Sequence, residues 1–200
     1  MISKKMLLDN TGKDISAKLK KMNYNLITYL KNDNNKSISE LISGNIQEFE
    51  DENIINIKQF LLAKCFELTK VNLPKCTTVD EYAFENCTSL ENVNLPECEG
   101  VGTRSFLRCT ALSKIIFQKI ERMAAGAFED CSNLETLIIK NDTRVCSMYR
   151  QGTTDALSGT KIESGNGYIY VPDKLVQQYK REYNWVKYAN QIKPLSEYTE

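Results

Sequence analysis

Histidine is absent from the 200 residues, and no two of the seven cysteines stand as C-x-x-C. Without imidazole there is no Ser-His or Cys-His nucleophile pair, no histidine base and no His-ligated metal. Without C-x-x-C the usual redox and zinc-ribbon readings fall away. An odd number of thiols also forbids complete pairing within one chain. Net charge is missing too: 26 Lys and Arg balance 26 Asp and Glu. That removes the electrostatic case for nucleic acid or an anionic membrane. No apolar run reaches the roughly 18 residues that cross a bilayer. Near the N-terminus Met6-Leu7-Leu8 is cut short by Asp9, whereas a secretory signal needs about 7–15 apolar residues in a row. The expectation is a chain with neither signal peptide nor membrane span. The rest of the composition, 42% hydrophobic and 26% charged, suits one globular domain, or one plus a small appendage.

What is present in abundance is periodicity. Cys65, Cys87, Cys109 and Cys131 are each 22 residues apart, as are Leu68, Leu90, Leu112 and Leu134. Val71, Val93, Ile115 and Leu137 keep the same interval, then Leu73, Leu95, Phe117 and Ile139. Leu62, Phe84, Phe106 and Phe128 precede each Cys, and Ile57, Val79, Val101 and Met123 open each unit. Pro74 aligns with Pro96, and Cys76 with Cys98, Ile120 following in that slot. Self-similarity at this period marks a stack of structural units, none of which buries its apolar side alone.

Within a unit the hydrophobic period changes. Val71-Asn72-Leu73 and its counterparts Val93-Asn94-Leu95, Ile115-Ile116-Phe117 and Leu137-Ile138-Ile139 predict short strands, outer positions inward and the middle one outward. Asp80 to Cys87 predicts a helical turn with Ala83, Phe84 and Cys87 on one face. Four full units, at 57–78, 79–100, 101–122 and 123–144, plus two caps would give a parallel ladder roughly 25–30 Å long.

The unit Ala-Phe-x-x-Cys-x-x-Leu-x-x-Val-x-Leu-Pro, spelled AFENCTSLENVNLP at 83–96, resembles the BspA-like leucine-rich repeats of bacterial proteins over about 57–144. GYIYVPDKLVQQYKREYNWVKYANQIKP at 167–194 is similar to the closing segment after such repeats in gut-bacterial and prophage proteins. The resemblance implies an α/β leucine-rich-repeat solenoid, right-handed, with strands on the concave side. It implies a binding protein rather than an enzyme, with no cofactor. Joined to the missing signal peptide, it implies a cytoplasmic or virion-associated protein of bacterial or prophage origin that binds a protein partner. A phage tail or virion structural or receptor-binding component is the alternative, and a secreted adhesin the third.

The ends should be irregular, since they close the core. Residues 1–56 are expected to hold an N-terminal helical cap, with Ile15, Leu19, Met22, Leu26 and Ile27 at helical spacing, then a degenerate first repeat. There Ile46 and Phe49 fall 22 before Leu68 and Val71. A separate partner-binding helix remains open for 13–30. Residues 145–200 are expected to form a loop and a capping strand-helix segment. Ala156-Leu157 echoes Ala127-Phe128 at a spacing of 29, so about 141–155 is an insertion, expected as a polar loop. Ile169-Tyr170-Val171-Pro172 repeats the strand signature, Asp173 is a candidate helix N-cap, and Leu175, Val176, Tyr179 and Tyr183 share a face. Trp185, Val186 and Ile192 would complete the lid. Six of the ten tyrosines lie at 168–198, so a homo-oligomer through this segment remains open beside the capping role.

The four-cysteine column is expected to pack as small buried groups, with Cys146 in the loop the most reactive thiol. Glu48, Glu50, Asp51 and Glu52 lack the loop and glycine of a calcium site. Gly165-Asn166-Gly167 lacks the Lys and Ser/Thr of a phosphate loop, and Lys18-Leu19-Lys20-Lys21 is too short for nucleic acid. The outward strand positions are the binding candidates: Lys70, Asn92, Lys114 and Thr136 in one column, Asn72, Asn94, Ile116 and Ile138 in the next. The two isoleucines stand out, because contiguous exposed apolar area marks contact sites. A terminus or the 141–155 loop folded over them would account for them equally.

Overall fold

The computed structural model describes residues 46–199. The expected N-terminal helix lies outside them. The repeat winds as a parallel solenoid with three hydrogen-bonded sides. On the first side run β1 (Glu48–Glu50), β3 (Lys70–Asn72), β5 (Asn92–Asn94), β7 (Lys114–Phe117), β9 (Thr136–Ile139), β11 (Tyr168–Val171) and β12 (Ile192–Pro194). On the second run β2 (Asn56–Ile57), β4 (Thr78–Val79), β6 (Gly100–Val101), β8 (Arg122–Met123) and β10 (Ser147–Met148), paired in parallel in that order. Seven strands among the described residues make the first ladder longer than four repeats and two caps require. Phe49 pairs with Val71 and Val71 with Val93, so the register is the sequence period itself. One period before Lys70–Asn72, Glu48–Glu50 joins the ladder, and Asp51, in the slot of Leu73, donates its N–H to the Asn72 carbonyl.

The third side corrects the expected helical turn. In a helix the Phe84 N–H would bond back to Asp80; here it donates to the Ser105 carbonyl of the next repeat at 2.7 Å. Tyr82 and Asn86 likewise donate to Thr103 and Leu107, while Glu85 and Cys87 close local turns onto Tyr82 and Phe84. Turning alternate N–H groups outward requires a positive φ twice per repeat. Tyr82 and Asn86 have φ of 55° and 58°, and Arg104 and Arg108 have 53° and 58°. Each such residue costs of order 1–3 kcal/mol. Cross-repeat hydrogen bonds at about 1 kcal/mol apiece offset part of that cost. The rings of Phe84, Phe106 and Phe128 also stack along the axis, 4.9 and 5.1 Å apart.

At the C-terminal end the 141–155 segment is not simply a loop. Ser147 and Met148 extend the second ladder as β10, paired with Arg122 and Met123, so part of the excess length precedes it and part follows, where Gln151 and Thr154 bridge. Cys146 is buried, and its backbone is clamped on both sides by the cap. Its N–H donates to Tyr179 Oη at 2.8 Å, and its carbonyl accepts from Trp185 Nε1 at 2.7 Å. The helix of the cap, α1 (Val176–Tyr179), is a single turn preceded by a 3-10 turn at Asp173–Leu175. Asp173 is not its N-cap: the turn starts after Pro172, and the carboxylate instead accepts from the Ser196 N–H at 3.1 Å. Leu175, Val176, Tyr179, Trp185, Tyr188 and Ile192 form the lid, whereas Tyr183 and Val186 point to solvent. Asp155 pins the lid from below: wholly buried, it accepts from Tyr188 Oη at 2.7 Å and meets Lys187 Nζ at 2.5 Å.

Candidate binding surface

Strand alternation sets the surface. Val71, Ile115 and Leu137 point inward and are buried, so their neighbours on each strand project outward. The ladder register aligns all eight sequence candidates in two columns. It also extends both columns at each end. Glu48 and Glu50 precede Lys70 and Asn72, and Tyr168 and Tyr170 follow Thr136 and Ile138. The glutamates were legible at the 22-residue spacing. The tyrosines were displaced by the insertion, although the strand echo at Ile169-Tyr170-Val171 pointed to them.

The two halves of this face differ. In the N-terminal half Lys70 lies between Glu50 and Glu48, at 2.8 and 3.3 Å, which holds its ammonium pKa above the ordinary lysine value. The Asn94 amide donates to Asn72 Oδ1 at 2.7 Å, so the asparagine column is itself a side-chain ladder. A groove of about 800 Å³ opens across β3, β5 and β7, lined by Lys70, Asn72, Asn92, Asn94, Lys114 and Ile116 among others.

The groove coincides with a break. The strands of this side form two sheets, β1-β3-β5 and β7-β9-β11-β12, and no backbone hydrogen bond among the described residues joins β5 to β7. The second side runs through this point unbroken. Parallel pairing leaves the Val93 N–H and C=O aimed at β7, and Val93 is only half-buried where Val71 and Ile115 are buried. Across the break Phe117 fills the core slot that Leu73 and Leu95 hold in earlier repeats.

The C-terminal half corrects the exposed isoleucine pair. Ile138 has no exposed surface and Ile116 is half-buried. Beside Ile138 stands Tyr170, and the ring of Tyr198, carried back by the 3-10 turn Leu195–Glu197, meets Tyr170 edge-on at 5.0 Å. A terminus does fold over this end. Thr136 is half-buried next to Tyr168, whose ring carries Lys193 Nζ at 3.8 Å.

The cysteines are all free thiols. Three of the first column do more than fill space: Cys87, Cys109 and Cys131 donate to the carbonyls of Leu62, Phe84 and Phe106 at 3.0, 3.2 and 3.0 Å. Burial pushes Cys65 and Cys98 up to about 12 and raises Cys87, Cys109 and Cys146 as well. Such thiols are poor nucleophiles. Cys146 is fully buried, contrary to the reactive loop thiol expected, and Cys65 is the half-buried one. Among the described residues no three Cys, Asp or Glu side chains converge for a metal, and no helix is long and apolar enough to cross a membrane.

The fold has a solved counterpart in the leucine-rich repeat protein of T. pallidum. The similarity has a TM-score of 0.52 at 16% identity, over 66% of this chain and 60% of that one. This chain thus matches under two thirds of that protein's length, and at that identity the likeness is one of fold alone. No curated protein matches the sequence. The model of the BspA-type leucine-rich repeat region matches residues 53–170 in six copies, more than the four read from the sequence. With well over half of its length in those repeats, the chain belongs to the BspA-type leucine-rich repeat family.

Proposed function

We propose that this is a non-catalytic protein-binding module and that its partner docks on the concave strand face, in the groove across β3, β5 and β7. The observation that carries the reading is the contrast between this groove and the rest of the ladder. Lys70, Asn72, Asn92, Asn94, Lys114 and Ile116 line about 800 Å³ of open space over the strand face, where the ladder parts between β5 and β7. The two remaining sequence candidates, Thr136 and Ile138, lie toward the end that the chain's own tail covers. An aligned amide pair, two ammonium groups and a half-buried isoleucine combine polar specificity with an apolar contact, as interface cores do. Solenoids of stacked repeats are suited to such extended surfaces.

The test is quantitative capture from lysate of the source cells. The wild-type chain is compared with a variant in which Asn72 and Asn94 are both changed to Lys, and with Arg108→Glu on the side away from the groove. The reading expects at least one protein lost by the groove variant and retained by Arg108→Glu, with both variants keeping the wild-type circular dichroism. If the captured set is the same for all three, the groove is not the docking site.

A further inference from the structure

The strand face already carries an occupant, and its contacts state what chemistry the face accepts. The occupant is the chain's own C-terminal turn. Tyr198 sets its ring edge-on against Tyr170 at 5.0 Å, and its phenol oxygen accepts from Lys114 Nζ at 3.3 Å, 84 residues away in sequence. Two residues earlier the Ser196 N–H donates to the Asp173 carboxylate at 3.1 Å. Hydrogen bonding from the Ser196 side chain, and then from this N–H, holds the carboxyl of Asp173 below its ordinary value. Lys114 also lines the groove, so this seat and the groove share a wall. Among the described residues no carboxylate lies within ion-pair reach of Lys114, and the phenol oxygen is the acceptor its ammonium has.

The hold on this turn is thin. Ser196, Glu197 and Thr199 are exposed and Tyr198 is half-buried. The polar contacts lie at the surface, where each contributes little. A segment held this way opens locally at a small fraction of the global unfolding free energy. Beneath it the face is apolar: Ile138 is fully buried, next to Tyr170.

We propose that the surface formed by Lys114, Tyr170 and Asp173 takes a turn of polypeptide bearing a tyrosine, and that Leu195–Tyr198 is a built-in stand-in for it. This rests on the reading of the strand face as a protein-binding surface and names the partner's chemistry there. The partner's phenol replaces that of Tyr198 on Tyr170 and Lys114, and a free backbone N–H two residues before it replaces that of Ser196 on Asp173. Phenylalanine in place of the tyrosine forfeits the Lys114 contact, and proline two residues earlier forfeits the Asp173 contact. Because the resident turn is tethered, it competes at an effective concentration on the order of millimolar. The seat therefore opens to a partner only as the turn lifts.

The test uses the full chain and a probe peptide. The acetylated hexapeptide with the sequence of residues 195–200 is titrated into the wild-type chain and into Tyr198→Ala, and backbone amide shifts are followed by NMR. The expected result is binding to Tyr198→Ala at least about tenfold tighter than to wild type, since the tethered competitor is weakened. Shift changes should centre on Lys114, Tyr170 and Asp173. The same peptide with Ala for Tyr should bind neither protein, and Lys114→Met in the Tyr198→Ala background should remove most of the gain. Equal binding to both proteins, no binding to either, or equal binding of the Ala peptide overturns the proposal. Should that happen while the Asn72/Asn94 variant still loses its captured partner, the groove reading stands and only the tyrosine seat is removed.

Discussion

The thiol of Cys109 donates to the carbonyl of Phe84, 25 residues earlier, at 3.2 Å. That carbonyl already accepts the Cys87 N–H at 3.1 Å, so the thiol is its second donor. The column thus ties each repeat to the one before, besides filling the core. Cys109→Ala removes the sulfur's volume and the bond together. A loss of about 2 kcal/mol is expected, from the cavity and the hydrogen bond combined. Urea denaturation checks it, with an unchanged m-value showing that the effect is on the native state.

Ser105 offers the opposite experiment. It sits in the column of Ala83 and Ala127, wholly buried, and its hydroxyl has no hydrogen-bond partner. Removing an unsatisfied buried hydroxyl relieves a desolvation penalty of roughly 1–3 kcal/mol. Ser105→Ala should therefore raise the melting temperature, and calorimetry showing a fall would mean that the hydroxyl is satisfied in solution.

Thiol labelling should follow burial. Cys65 is the half-buried thiol and the other six are buried, Cys146 included. Since a buried thiol is shielded from reagent, all should react slowly in the folded protein, and Cys65 should be modified first. Mass spectrometry after brief alkylation reads the order directly. Cys146 labelled ahead of Cys65 would show that the cap over it opens readily.

The break between β5 and β7 makes a prediction about amide exchange. The Val93 and Ile116 N–H groups face it without a backbone partner, whereas the pairs on either side are intact. Both amides should exchange much faster than those of Asn94 and Ile138, which bond within their sheets. Equal protection in hydrogen-exchange NMR would close the break.

Acid should loosen the C-terminal turn. The Asp173 carboxyl is held below the ordinary aspartate value, chiefly by its hydrogen bonding with the Ser196 side chain. A group with a depressed folded pKa contributes stability above its unfolded value and loses it as pH falls through the folded one. The Tyr198 ring resonances should therefore shift toward unstructured values only on strong acidification. Asp173→Asn should weaken the dependence.

The repeat, its register and its core were legible in the sequence. The side-chain pattern recurs at the same 22-residue interval that separates paired strands, so the columns of Cys65, Leu68 and Val71 name their own neighbours. Six of the eight surface candidates line the groove for the same reason, since strand alternation converts sequence parity into facing. Tertiary structure decided the rest, because it depends on contacts that no periodicity encodes. Whether Asp80 to Cys87 coils or turns is set by where its N–H groups find acceptors, and those lie one repeat away. Whether Ile138 is wet is set by what packs around its strand: Tyr170 stands beside it, displaced from the period by the insertion, and Tyr198 packs on Tyr170. The ladder breaks between β5 and β7 although the hydrophobic pattern runs through that point unchanged, because a periodic pattern places side chains and does not by itself fix which backbone groups meet.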